Sequence, residues 1–164
     1  MDELFYKIAF SEIPGLGAKG CRKLLDIYTD PKELFSLSKS DLNELFGKHK
    51  NIVEHIIQRT MFKQAEIEMD FISKHHIEVL FMTDAKYPQR LNKPDCDDTP
   101  VILYMLGDCD LNKKHVVSIV GTYENYLALF KKIGIKINRI KNTLIIGGGV
   151  IGYYLADILI RSGI

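Results

Sequence analysis

Residues 143–152 read TLIIGGGVIG, a short apolar run that leads directly into a glycine turn. Such a run is typical of a buried strand, and the helical spacing of the apolar residues in 150–162 predicts a helix after the glycines. Upstream, residues 116–120 (VVSIV) form another strand-like run, and the lysine-rich segment 124–140 has helical spacing. Strand, helix, strand, glycine turn and helix, in this order, predict a parallel α/β sheet.

The first half of the chain has the pattern of a helical region. We expect one helix after Asp2, a second after Gly17, a short one from Asp30-Pro31, a fourth capped by Ser38 or Ser40, and a long amphipathic one over 51–75. Two strand-like runs follow, at 77–82 and 101–106, with a polar, proline-containing segment between them.

The change from helical to strand-like patterning predicts two domains. We place a helical domain of helix–hairpin–helix (SAM-like) type at residues 1–76 and a truncated, Rossmann-like parallel α/β domain at 77–164. Because the sheet would end early, we expect an unpaired edge beside Ile145 and Ile146, and from it either self-association, with a homodimer as one form, or low hydrogen-exchange protection in the C-terminal third.

Composition excludes several classes of protein. The 164 residues are 46% hydrophobic and 26% charged, which is ordinary for a globular chain. No run of 18 apolar residues is present, the N-terminus lacks a basic leader, and three scattered cysteines favour neither a disulfide framework nor a zinc site. We therefore expect a reduced, cytoplasmic protein with no membrane span, metal or cofactor.

The net charge is +1, but the charge is unevenly distributed. Basic stretches at 13–63 and 113–164 flank an acidic middle, which permits contact with a polyanion at two places. No grouping of Ser, His, Asp or Cys predicts a catalytic nucleophile, so we expect no enzyme.

The first candidate site is the turn IPGLGAK at 13–19. Pro14 fixes one backbone angle, and Gly15 and Gly17 permit conformations that other residues avoid. Such a turn can direct amide groups outward at the start of a helix, where the helix dipole also favours an anion. With Lys19, Arg22 and Lys23 after it, this pattern predicts a DNA-binding helix–hairpin–helix turn that contacts phosphates without reading bases.

The second candidate site is the glycine run in residues 147–152. Read as G-x-G-x-x-G, it matches the dinucleotide fingerprint at Gly147, Gly149 and Gly152, so a fragment of an NAD- or FAD-binding enzyme is one interpretation. The fingerprint lacks its acidic partner about 20 residues on, because the chain ends at Ile164. The other interpretation is a DNA-binding glycine loop, which also includes Gly148 and is assisted by Lys131, Lys132 and Lys136.

The first half also contains an internal repeat. Residues 13–25 align with residues 45–57 at an offset of 32, with Gly15 matched to Gly47 and most apolar positions matched. This indicates a duplicated helix–turn–helix unit with a degenerate second copy.

Several motifs resemble one known family when taken in order. They are IPGLG at 13–17, YPQRL at 87–91, DTPVILY at 98–104 with Gly107-Asp108 after it, and VSIVGT at 117–122. In these motifs the chain resembles the DNA-processing protein A family (DprA/Smf), the single-strand-binding recombination mediators of bacteria.

The resemblance implies a non-catalytic protein that binds single-stranded DNA and passes it to the recombinase RecA during DNA uptake and natural transformation. It adds Gly121 and Thr122 to the predicted DNA-binding residues. The chain departs from the family at Tyr123, where an arginine is usual, and it keeps only Gly148 and Gly152 of the family's Ser-Gly-Leu-Ala-x-Gly-Ile-Asp turn. The remaining strands of the family domain are absent from this sequence.

Overall fold

The computed structural model describes residues 2–92, 99–107 and 110–113, together with the backbone of strand 142–145. This part of the chain contains six helices followed by three strands. The helices are α1 (Glu3–Ser11), α2 (Gly17–Leu25), α3 (Pro31–Leu34), α4 (Lys39–Phe46), α5 (Lys50–Gln58) and α6 (Phe62–His75), and the strands are β1 (Glu78–Phe81), β2 (Ile102–Gly107) and β3 (Asn142–Ile145).

Two helix starts follow local rules that the sequence shows. The carboxylate of Asp30 accepts a hydrogen bond from the amide of Lys32 at 2.8 Å, with Pro31 as the first helical residue of α3. Ser38 begins α4 through a reciprocal capping box with Asp41. The predictions of a cap at Asp30 and of a cap at one of the two serines are confirmed.

The long helix predicted over 51–75 is wrong, because the structure divides it into α5 and α6. Arg59 takes a left-handed conformation at φ +52°, and the amide of Thr60 donates to the carbonyl of His55. Continuing α5 would place polar residues, Arg59 and Thr60 followed by Lys63, where Ile52 and Ile56 point into the core. The turn changes the direction of the chain, so that α6 buries Phe62, Ala65 and Ile72.

An aromatic cluster holds the helices together. Phe5 packs edge-to-face on Phe62 at a centroid distance of 5.0 Å, and Phe35 packs on the same ring at 5.2 Å. Tyr6 lies beside Phe5 at 5.5 Å. These rings come from α1, from the end of α3 and from α6, so these three elements pack together, and α1 also contacts α2. Edge-to-face pairs of this kind add to the stabilisation from area burial.

The described strands form one antiparallel sheet in the order β1-β2-β3. Leu80 pairs with Leu103, and Met105 pairs with Leu144. The sequence predicted a parallel sheet, and none of these pairs is parallel. For β1 and β2 the physical reason is the connection: the described parts of the segment between them contain turns and no crossover helix of the kind that parallel neighbours need.

The α/β class itself is supported by the helices followed by a sheet, while the Rossmann-like arrangement stays a prediction. The strand predicted at 116–120 and the helices predicted at 124–140 and 150–162 lie outside the described residues. The helices end at His75 and β1 begins at Glu78, and the domain boundary near residue 76 likewise stays a prediction.

The helices and the sheet share one hydrophobic core. Phe10 of α1 meets Phe81 of β1 at a centroid distance of 6.3 Å, and both side chains are fully buried. Lys7, also on α1, bonds to Asp84 at 3.1 Å, and its ammonium lies 5.4 Å from the centroid of the Phe81 ring. Burial lowers the pKa of Lys7, but its bonds to Glu3 and Asp84 outweigh this, so the pKa is raised and the lysine stays charged.

Candidate nucleic-acid interface

The turn between α1 and α2 has the backbone geometry that its glycines permit. Gly15 has φ +83° and Gly17 has φ +63°. The amide of Leu16 donates to the carbonyl of Ile13 at 3.2 Å, which closes a four-residue turn with Pro14 second and Gly15 third. A positive φ at the third position is the feature of a type II turn, where proline and glycine are favoured at these two places.

Some backbone amides in this turn already donate a hydrogen bond to a carbonyl of the protein, and others do not. The amide of Leu16 is used inside the protein, so it is not available to a ligand. The amides of Gly17 and Ala18 begin α2, which has no side-chain cap, and no oxygen of the described residues accepts a hydrogen bond from either. A side chain built on Gly17 would meet nothing within 4 Å, so the space in front of the turn is open.

Basic side chains stand on the solvent face of α2. Cys21 and Leu24 face the core, which leaves Lys19 and Lys23 exposed one helical turn apart and Arg22 half-buried between them. The first turn of α2 contains no acidic residue. The structure therefore brings together the predicted residues Gly15, Gly17, Lys19, Arg22 and Lys23 in one turn and the helix that follows it.

The other predicted DNA-binding residues cannot be placed relative to this turn. They are Gly121, Thr122, Lys132, Gly147, Gly148, Gly149 and Gly152, with Lys131 and Lys136 as predicted assistants, and all of them lie outside the described residues. Their contribution to a site stays a prediction.

An acidic cluster beside the first turn was not predicted from the sequence. Glu12 directly precedes the turn, and its pKa is raised by burial and then by the charge of Glu68. The hydroxyl of Tyr104 donates to Glu68 at 2.6 Å, and burial together with Glu68 raises the pKa of this tyrosine as well.

The motif at 87–91 serves the fold. Tyr87 is 1% exposed, and its hydroxyl donates to the carbonyl of Pro100. The hydroxyl of Thr99 donates to the carbonyl of Leu91 at 2.7 Å, and Asn112 accepts from the amide of Gln89 at 2.9 Å. The bonds to Pro100 and from Thr99 fasten the segment after β1 to the residues just before β2, and the bond to Asn112 fastens it to the segment after β2.

Comparison with protein-family models gives a match over residues 78–153 to the DNA recombination-mediator protein A family. This match over residues 78–153 confirms the resemblance to the DprA/Smf family. The matched segment begins at the first residue of β1 and contains the predicted residues from Gly121 to Gly152. The helical region, with its glycine turn, lies outside the matched segment. The curated proteins and the solved structures with which the chain was compared gave no match.

The match to the DprA/Smf family connects residues 78–153 with DNA processing and recombination. Among the described residues, no helix is both long and apolar enough to cross a bilayer. The same part of the chain holds no group of three or more His, Cys, Asp or Glu side chains placed to bind a metal ion.

Proposed function

We propose that this protein binds single-stranded DNA without chemical turnover and delivers it to the recombinase RecA during DNA uptake and recombination. The observation that carries the proposal is the family match over 78–153. The open amides of Gly17 and Ala18, with basic side chains following them on α2, supply a physical means of holding a strand.

The contact that we propose is with the phosphate backbone. Amides at the start of a helix bind anions because they lack intrahelical partners and because the helix dipole adds a positive potential there. Lys19 and Lys23 add positive charge on the same helix. None of these groups needs to reach a base edge, so binding is independent of nucleotide sequence.

The second proposed contact is the glycine loop at Gly147–Gly149, assisted by Lys132, together with Gly121 and Thr122, which the family resemblance adds. The family match includes these residues, which favours a DNA-facing loop over the alternative of a dinucleotide site. Calorimetry separates the two: we expect NADH and FAD to give no heat of binding and not to displace an oligonucleotide.

The salt dependence of binding tests the proposal. For native protein and a fluorescent poly-dT oligomer, the logarithm of affinity should fall linearly with the logarithm of salt concentration, by about 0.7 for each phosphate neutralised on a single strand. A Lys19→Gln, Lys23→Gln double variant should lower this slope by about 1.4. Undetectable binding of the native chain at low salt would overturn the proposed activity, and so would an affinity independent of salt.

A further inference from the structure

The repeat in the helical region places a second glycine turn beside the first. Gly47 ends α4 at φ +55°, and α5 begins three residues later. A side chain built on Gly15 would stand 3.6 Å from Cγ1 of Ile52, which lies in the first turn of α5. The first turn therefore packs against the helix that the second turn introduces, and the two turns are neighbours in space.

The two copies bury equivalent positions. At the repeat offset of 32, Cys21 corresponds to Val53 and Leu24 corresponds to Ile56, and all four are buried. Because the same positions of α2 and α5 face the core, the same relative face of each helix is turned to solvent. The second copy is therefore a structural equivalent of the first, although its sequence has diverged.

Positive charge is concentrated on these two turns. Residues 13–25 contain Lys19, Arg22 and Lys23, residues 47–53 contain Lys48, His49 and Lys50, and neither stretch contains an Asp or Glu. The segment between them, 26–46, holds five acidic residues and two lysines. Lys48, His49 and Lys50 are exposed.

We propose that the second turn, Gly47–Lys50, is a second phosphate contact for the same single strand of DNA that the first turn binds. This inference rests on the proposed function and extends it, since it assigns a DNA-binding role to residues outside the matched segment and outside the first turn. Two adjacent basic turns hold phosphates at two points along one strand, which sets the path of the strand across the helical region.

A matched pair of double variants tests the second contact. Lys48→Gln with Lys50→Gln removes the lysine charges of the second turn. Lys39→Gln with Lys63→Gln is the control, because both lysines are exposed, Lys39 is the first residue of α4, and Lys63 lies in α6, past the end of α5. Because α4 has 8 residues, Lys39 stands about 12 Å along the helix from its other end, where the second turn follows.

We expect the Lys48, Lys50 double variant to lower the salt slope of poly-dT binding by about 1.4, as the Lys19, Lys23 double variant does, and the control to leave it unchanged. Circular dichroism establishes that each variant is folded. If the second-turn variant keeps the native slope while the Lys19, Lys23 variant loses part of it, the second contact is wrong and the proposed function stands. If native protein fails to bind the oligomer, the proposed function fails and takes this inference with it.

Discussion

Removing the hydroxyl of Tyr87 separates a structural role of the 87–91 motif from a role in binding DNA. The side chain is 1% exposed, and its hydroxyl donates to the carbonyl of Pro100, 13 residues away. Tyr87→Phe keeps the ring in place and leaves that carbonyl without this donor. A buried acceptor that loses its partner costs about 1–3 kcal/mol, and since Pro100 is half-buried we expect about 1–2 kcal/mol.

Thermal unfolding followed by circular dichroism measures this cost. In a chain of this size, 1 kcal/mol lowers the melting temperature by about 2–4 °C, so Tyr87→Phe should melt several degrees below native protein. Tyr28→Phe is the control, since Tyr28 is half-exposed and its hydroxyl bonds to none of the described residues. That variant should stay within about 0.5 kcal/mol of native protein.

Binding to poly-dT well below the melting temperature completes the test. We expect Tyr87→Phe to bind as native protein does, because the tyrosine is enclosed by the fold. An unchanged melting temperature would show that the bond to Pro100 contributes nothing. A loss of affinity in the folded variant would show instead that Tyr87 contacts DNA, and the structural interpretation of the motif would be wrong.

Two further predictions concern titratable groups. The raised pKa of Glu12 means that its charged form destabilises the folded chain, so stability from this group is present at acidic pH and is lost as pH rises above the ordinary value of 4.5. Glu12→Gln should therefore raise the melting temperature at pH 7 more than at pH 4. The exposed control Glu44→Gln should show no such difference. Equal effects of Glu12→Gln at both pH values would refute the burial argument. Burial raises the pKa of the Cys21 thiol to about 12, so iodoacetamide at pH 8 should alkylate Cys21 in unfolded protein and not in native protein, as read by peptide mass spectrometry. Rapid alkylation of Cys21 in the folded chain would contradict its placement in the core.

Local features of the fold could be predicted from the sequence where a single residue type determines the backbone conformation. Asp30-Pro31 and Ser38 start helices through bonds to amides two or three residues away, so the sequence contains both partners. The positive φ of Gly15 follows in the same way from proline and glycine standing side by side. In each case the interaction is short in range, and its geometry depends little on the rest of the chain.

Features that depend on distant partners could not be predicted. Arg59 divides a segment of continuous helical spacing, although arginine rarely takes a left-handed conformation. The antiparallel register of β1 on β2 depends on how the segment between the two strands folds back. The hydrogen bond from Tyr87 to the carbonyl of Pro100 holds that segment in place. The pKa of Glu12 is raised first by burial and then by the charge of Glu68 on α6, and spacing along the chain shows neither the burial nor the approach of the two carboxylates.

The most direct test of the account observes the amides of the first glycine turn. In ¹H–¹⁵N correlation spectra of the full chain titrated with poly-dT, the resonances of Gly17 and Ala18 should shift as the oligomer saturates the protein. The amide of Leu16, already bonded to Ile13, should move less. Saturable binding that leaves the resonances of Gly17 and Ala18 unchanged would contradict the claim that this turn holds the DNA backbone.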